Sequence, residues 1–221
     1  MRALGGFLLA TMVAYAQFPR ILKLLMRPPI EKLVYTSPAE PFFAQCKVSL
    51  AIGLLISFPW LLFEAWRFVA PGLKRNERGV LLRMIPASYA LFLLGSALGL
   101  FGAAPVGLKF LLSYSTAQLQ PYITLNSYLS YMTYMTLGLG ALFQLPLILF
   151  VLAYIGIIPV EALAKYRRHV FLGLLIVAAA ITPSPDIYGQ LLIAIPTYLL
   201  YEVSIMAIRI AKLKDKTISQ D

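Results

Sequence analysis

One cysteine, one histidine and nine acidic residues are all that 221 positions offer to thiolate, imidazole or carboxylate chemistry. With Cys46 alone there is no internal disulfide and no thiolate cluster for a metal. His169 stands by itself in the basic stretch KYRRHV, so no histidine pair exists to bind a metal and no Ser-His dyad is evident; it reads as a bystander loop residue. The spacings GxSxG, HExxH and the P-loop are missing, as is the sequon Asn-x-Ser/Thr. No catalytic residue, cofactor or metal site is therefore assigned.

Charge is scarce as well. Only 13% of residues are charged, against 60% hydrophobic, and the mean hydropathy of +0.81 lies well outside the soluble range. A bilayer core of about 30 Å needs about 20 helical residues. Residues 84–108 and 110–160 contain no Asp, Glu, Lys or Arg, and shorter runs of this kind cover 48–63, 169–185 and 187–201. Together with the apolar start they predict an all-α integral membrane protein. Its single polytopic domain has six helices, at about 3–18, 43–66, 84–110, 127–155, 170–182 and 190–208, then a solvated tail at 209–221. A transmembrane barrel is excluded because the segments are continuously apolar rather than alternating. No internal repeat stands out.

Basic residues stay on the cytoplasmic side. One face of the six-span arrangement holds 13 of the Lys and Arg residues, five of them between 67 and 83, and the other holds six. The bias places both termini and the loop FVAPGLKRNERG (68–79) in the cytoplasm. The net charge of +10 is thus mainly an orientation signal and does not point to nucleic acid. The start, MRALGGFLLATMVAYAQ, admits a second reading as a secretory leader with an Ala14-Tyr15-Ala16 cleavage pattern; an uncleaved first helix is the preferred one.

On the outer face, PRILKLLMRPPIEKL predicts a short amphipathic helix broken by Pro28 and Pro29, and TSPAEPFF (36–43) a rigid corner carrying Pro38, Glu40 and Pro41. Lys47 is expected to snorkel outward, Pro59 to kink helix two, and Gly95, Ser96, Gly99 and Gly102 to allow close packing of helix three. Helices five and six look short for an upright crossing, which suggests local thinning. They are joined by TPSPDIYGQ, where Asp186 is expected to cap helix six.

Polar groups at membrane depth are costly and tend to face protein or water. Glu64, Gln144 and Glu202 read either as helix-to-helix hydrogen-bonding groups, or as interfacial in the case of Glu64, or as functional sites. Glu77, the lone acid among Lys74, Arg75 and Arg78, reads either as a surface ion pair worth about 0–1 kcal/mol or as a receptor carboxylate for an incoming cation beside the Phe68 ring.

Four stretches fall in order across nearly the whole chain: TSPAEPFF, FVAPGLKRNER (68–78), LFQLPL (142–147) and ITPSPDIYGQLLIAIPTYLLYE (181–202). By these the sequence resembles the TatC family of twin-arginine translocase subunits. The resemblance implies a cup-shaped, six-helix receptor for the twin-arginine signal peptides of folded proteins, exported at the expense of the proton-motive force. It further implies TatA- and TatB-type single-span partners, homo-oligomers within a receptor complex, contact with membrane lipid, and a bacterial inner, thylakoid or mitochondrial inner membrane. The signal-peptide site it implies falls here on Phe68, Pro71 and Glu77. A guanidinium fork matches a carboxylate better than an ammonium does, so a carboxylate receptor can prefer paired arginines.

Two departures stand out. The family's HLxELRxR-like segment, whose acid completes the arginine site, precedes the first span, and here Arg2 falls just after that motif; either the start is placed too far downstream or the pocket has one acid. The family's FELP element often carries Glu where this chain has Gln144, which hydrogen-bonds but cannot ionise. A small secondary transporter with Gln144 and Glu202 lining a solute path is the alternative; such a fold would often show the repeats that are absent here.

Overall fold

The computed structural model of the protein describes residues 2–26, 33–69, 75–115, 121–182 and 187–218. All regular elements among them are helical: α1 (Arg2–Ala16), α2 (Phe18–Leu25), α3 (Glu40–Val69), α4 (Arg75–Leu98), a π-helical turn (Gly99–Ala103), α5 (Ala104–Leu112), α6 (Leu125–Leu142), α7 (Leu145–Tyr154), α8 (Val160–Lys165), α9 (Arg167–Ile181) and α10 (Ile187–Ile218). The helices that correspond to the six expected are α1, α3, α4–α5, α6–α7, α9 and α10. Four of these are long and apolar enough to cross a membrane on their own, over Glu40–Ala65, Met84–Leu112, Leu125–Tyr154 and Gly189–Ile210. At 1.5 Å per residue the 15-residue α1 and α9 extend only about 22 Å. The shortness expected of the fifth helix is present, but the sixth is a full 22-residue span and needs no thinned bilayer. Nothing between Arg209 and Ile218 breaks it, so the helix continues into the region read as a tail.

Proline chemistry accounts for three interruptions that hydropathy alone does not reveal. A proline lacks the N–H for residue i−4 and its ring clashes with that carbonyl. Pro19 ends α1 at Ala16, and α2 leaves at 74° as a helix lying across the bundle end. Pro105 follows the π-helical turn, where the wider winding relieves the clash with Phe101. Pro146 splits the fourth span at Phe143 and Gln144. Gly156, at φ +83°, closes α7 in the left-handed conformation that side chains disfavour.

The core is built on α6. Tyr128, Leu129, Met132, Met135, Leu139 and Leu142 are all buried, and α3, α4 and the π-helical turn close around them. Lipid supplies no hydrophobic drive between helices, so α4 and α6 must associate through close approach and hydrogen bonds. A Cβ on Gly95 would stand 2.6 Å from the Leu139 carbonyl oxygen, and one on Gly99 would strike the Met135 carbonyl. α1 lies along α3 with Thr11 set against Gly53, and its other side exposes Leu4, Leu8, Leu9 and Met12 to lipid. A second cluster of Ala153, Val160, Leu163, Tyr201, Ile205 and Ile208 joins α7, α8 and α10.

Overpacking a helix contact costs about 1–3 kcal/mol or more, so Gly95→Leu is expected to lower the thermal midpoint in detergent by roughly 5 °C. At Gly102 the only neighbour is Leu98 Cγ at 3.8 Å. Gly102→Leu should therefore shift the midpoint by less than about 2 °C. Equal shifts in the two variants, read by a thermal unfolding assay, would remove the backbone contact as the organising feature.

Candidate functional site

Three groups of polar residues interrupt the apolar bundle, one at each end and one within. At the basic end, α3 finishes at Val69 and α4 starts at Arg75. Phe68 therefore sits in the last turn of one helix and Glu77 in the first turn of the next, and the two helices pack together. For both residues the structure describes the backbone. Pro71 and Asp186 lie outside the described residues, so the capping role expected of Asp186 has no geometry here.

Within the bundle, Gln144 is 8% exposed and occupies the break between α6 and α7. Its side-chain carbonyl accepts from the Ser88 hydroxyl, and its amide donates to the Ser88 carbonyl at 3.0 Å. Ser88 is buried on α4, so this two-way link ties the third span to the fourth. A glutamate at that position would need a proton to repeat the donation, whereas glutamine makes both bonds uncharged. Ser88 is the partner that sequence inspection missed; it carries no motif signal among the many serines of the chain.

Glu202, on α10, accepts from the Tyr198 hydroxyl at 2.9 Å and pairs with Arg167 Nη2 at 2.9 Å. Arg167 opens α9, so the pair fastens the last two spans near the basic end. With side chains 43% and 20% exposed, it belongs with surface ion pairs, which contribute about 0–1 kcal/mol. Gln144 and Glu202 share no hydrogen-bonding partner among the described residues. Glu64 is partly exposed near the inner end of α3.

At the opposite end, Glu40 is the first residue of α3, with Pro38 in the turn before it and Pro41 in the first helical turn, where a missing N–H is harmless. One carboxylate oxygen accepts from the Thr36 amide at 2.8 Å and the Thr36 hydroxyl at 3.0 Å; the other accepts from the Asn126 amide at 2.8 Å. Asn126 lies in the first turn of α6, so the carboxylate also meets the positive end of that helix. Lys47 reaches toward the same outer end, where its ammonium finds protein partners, donating to Asn126 Oδ1 at 2.9 Å and Ser130 Oγ at 2.6 Å. A parallel bridge between Val34 and Thr124, and a bond from the Tyr128 hydroxyl to the Leu25 carbonyl at 2.6 Å, complete the cap. Asn126 and Ser130 were not legible as partners, since they lie 79 and 83 residues from Lys47.

Among the described residues no group of three or more His, Cys, Asp or Glu residues is placed to hold a metal ion. His169 is exposed, with its ring against Tyr166.

Comparison with known proteins places this architecture. The family model for Sec-independent protein translocase protein (TatC) matches residues 1–196. The Sec-independent protein translocase protein TatC of Carboxydothermus hydrogenoformans is 36% identical over 213 residues, covering 95% of this chain and 88% of that protein. The TatC of Aquifex aeolicus is 34% identical over 222 residues, covering 97% and 92%. Among solved structures, the crystal structure of the twin-arginine translocase receptor TatC superposes with a TM-score of 0.78 at 33% identity, covering 95% of this chain and 94% of that one. The same receptor in DDM gives a TM-score of 0.79 at 32% identity, covering 93% of each chain. With the fold, the order of the motifs and nearly the whole length in agreement, the chain belongs to the TatC family of Sec-independent protein translocase proteins.

Proposed function

We propose that this multi-pass membrane protein is the signal-peptide receptor and core subunit of a twin-arginine translocase, exporting folded proteins across the bacterial inner membrane with the proton-motive force. The observation that carries this reading is its likeness, over more than nine-tenths of both chains, to a solved twin-arginine translocase receptor. It works with the other components of a Tat complex. Its finer partners are TatA- and TatB-type single-span subunits, further copies of itself and membrane lipid, and its role is binding rather than catalysis.

Phe68, Pro71 and Glu77 are assigned to the signal peptide. The end of α3 and the start of α4 bring Phe68 and Glu77 to the same, basic end of the bundle, where a soluble peptide arrives from the cytoplasm. A carboxylate there has a Coulomb attraction of about 4 kcal/mol for a guanidinium at 4 Å and an effective dielectric of 20, before desolvation. Neighbouring cations reduce this, so geometry decides which ligand is held. The bidentate fork of arginine then has the advantage over lysine. Gln144 and Glu202 hold the spans that partner helices pack against, and Pro38, Glu40, Pro41 and Asp186 belong to a structural cap on the outer face.

Two expectations follow. Glu77→Gln should leave folding and insertion intact but weaken crosslinking to a twin-arginine signal peptide about tenfold or more, the value of one charge-assisted hydrogen bond. Unchanged crosslinking at matched protein level would sink the assignment. Glu40→Ala should lower transport by releasing the outer corner from α6, while crosslinking at the basic end survives. Paired crosslinking and transport on the same membranes distinguish the roles: loss of peptide contact in Glu40→Ala as complete as in Glu77→Gln would contradict them.

A further inference from the structure

Between the first turns of α1, the second half of α3 and the middle of α4, a groove of about 550 Å³ opens on the side of the bundle. Gly6 of α1, Ser57, Trp60 and Phe63 of α3, and Ile85 of α4 line it. Gly6 leaves its α1 wall open, since nothing lies within 4 Å of the position a Cβ there would take. The lining is apolar, since the Ser57 hydroxyl donates back to the Gly53 carbonyl at 2.7 Å. Trp60 and Phe63 are 47% and 44% exposed, so the groove is open to the membrane.

Its rim is charged. Arg67 is exposed and follows Trp60 and Phe63 by seven and four residues, a spacing that puts all three on one helical face. In the sequence the adjoining stretches hold Arg2 and four basic residues between 74 and 83, against Glu64 and Glu77, so with Arg67 cations outnumber acids six to two. Four to eight basic residues immediately cytoplasmic of a spanning helix attract anionic lipid.

We propose that this groove holds an acyl chain of an anionic phospholipid from the basic-side leaflet, with its phosphate against Arg67. An acyl chain is a slim, wholly apolar occupant that matches an apolar groove of about 550 Å³. A single flexible chain fits it, and the bilayer supplies that chain at high local concentration. The site is independent of the signal-peptide assignment: it uses Arg67 and the wall of α1, not Glu77.

Trp60 is its natural reporter. Trp66→Phe removes the other tryptophan of the chain. The full-length protein carrying that change is reconstituted in phosphatidylcholine vesicles, and quenching is titrated with brominated phosphatidylglycerol or brominated phosphatidylcholine. The anionic lipid should associate about fivefold more tightly, the effect of one cation beside an anionic headgroup. Arg67→Gln should bring the two lipids to parity, and Gly6→Leu should reduce quenching by both with the helical circular dichroism unchanged. Equal association of the two lipids with the parent protein would overturn the proposal. So would a preference that survives Arg67→Gln, or quenching untouched by Gly6→Leu. Shielding of Trp60 from both lipids would also overturn it, and would mean that another protein covers the groove.

Discussion

The backbone-to-backbone approach of α4 and α6 is the contact on which the rest of the bundle depends. In lipid, apolar side chains gain nothing by leaving the solvent for each other, and helices hold together through close packing and the hydrogen bonds it permits. Gly95 and Gly99 bring α4 against the carbonyls of Leu139 and Met135. At that separation Ser88 and Gln144 exchange two hydrogen bonds across the same interface, and the break forced by Pro146 delivers Gln144 to the right depth. An uncompensated amide in hydrocarbon would cost several kcal/mol, so the pair specifies the register of the two spans as well as stabilising them.

Once α6 is fixed, the two ends of the molecule take different physical characters. Its N-terminal turn anchors the outer corner through Asn126, which meets the Glu40 carboxylate with its backbone and the Lys47 ammonium with its side chain. Opposite charges are thus held close to one residue without touching each other, and the corner between α2 and α3 is fixed to the start of the fourth span. At the other end the sequence concentrates cations around few acids, and the described side chains there include the Arg167–Glu202 pair. A stiff outer end and an accessible basic inner end suit a receptor that takes its ligand from the cytoplasm.

Much of this was legible in the sequence, for reasons that can be stated. Charge-free runs mark spans because the bilayer tolerates few charges, and four of them coincide with helices long and apolar enough to cross a membrane. Gly95 and Gly99 announced close packing by their spacing, although Gly102, read with them, meets only Leu98. The interior placement of Gln144 followed from the cost of an amide in lipid, but its partner did not, since any buried hydroxyl would have served. The 74° bend after Ala16 and the split of the fourth span were hidden because hydropathy continues smoothly across both, while proline sterics do not. The outward reach of Lys47 followed from snorkelling, but its acceptors did not, since they come from a helix 79 residues away. The residues assigned to the signal peptide were legible only through family resemblance; chemistry alone favoured reading Glu77 as a surface ion pair.

The two-ended character is tested most directly by the side of the membrane from which each end is reached. Cys46 is the only native cysteine, so Cys46→Ser gives a clean background, and Gly79 and Tyr122 are both exposed, one at each end. With a membrane-impermeant maleimide, Gly79→Cys should label in inverted vesicles and not in intact spheroplasts, and Tyr122→Cys should do the reverse. Labelling of both positions from one side, or the opposite pattern, would contradict a cytoplasmic recognition end facing away from an outer cap.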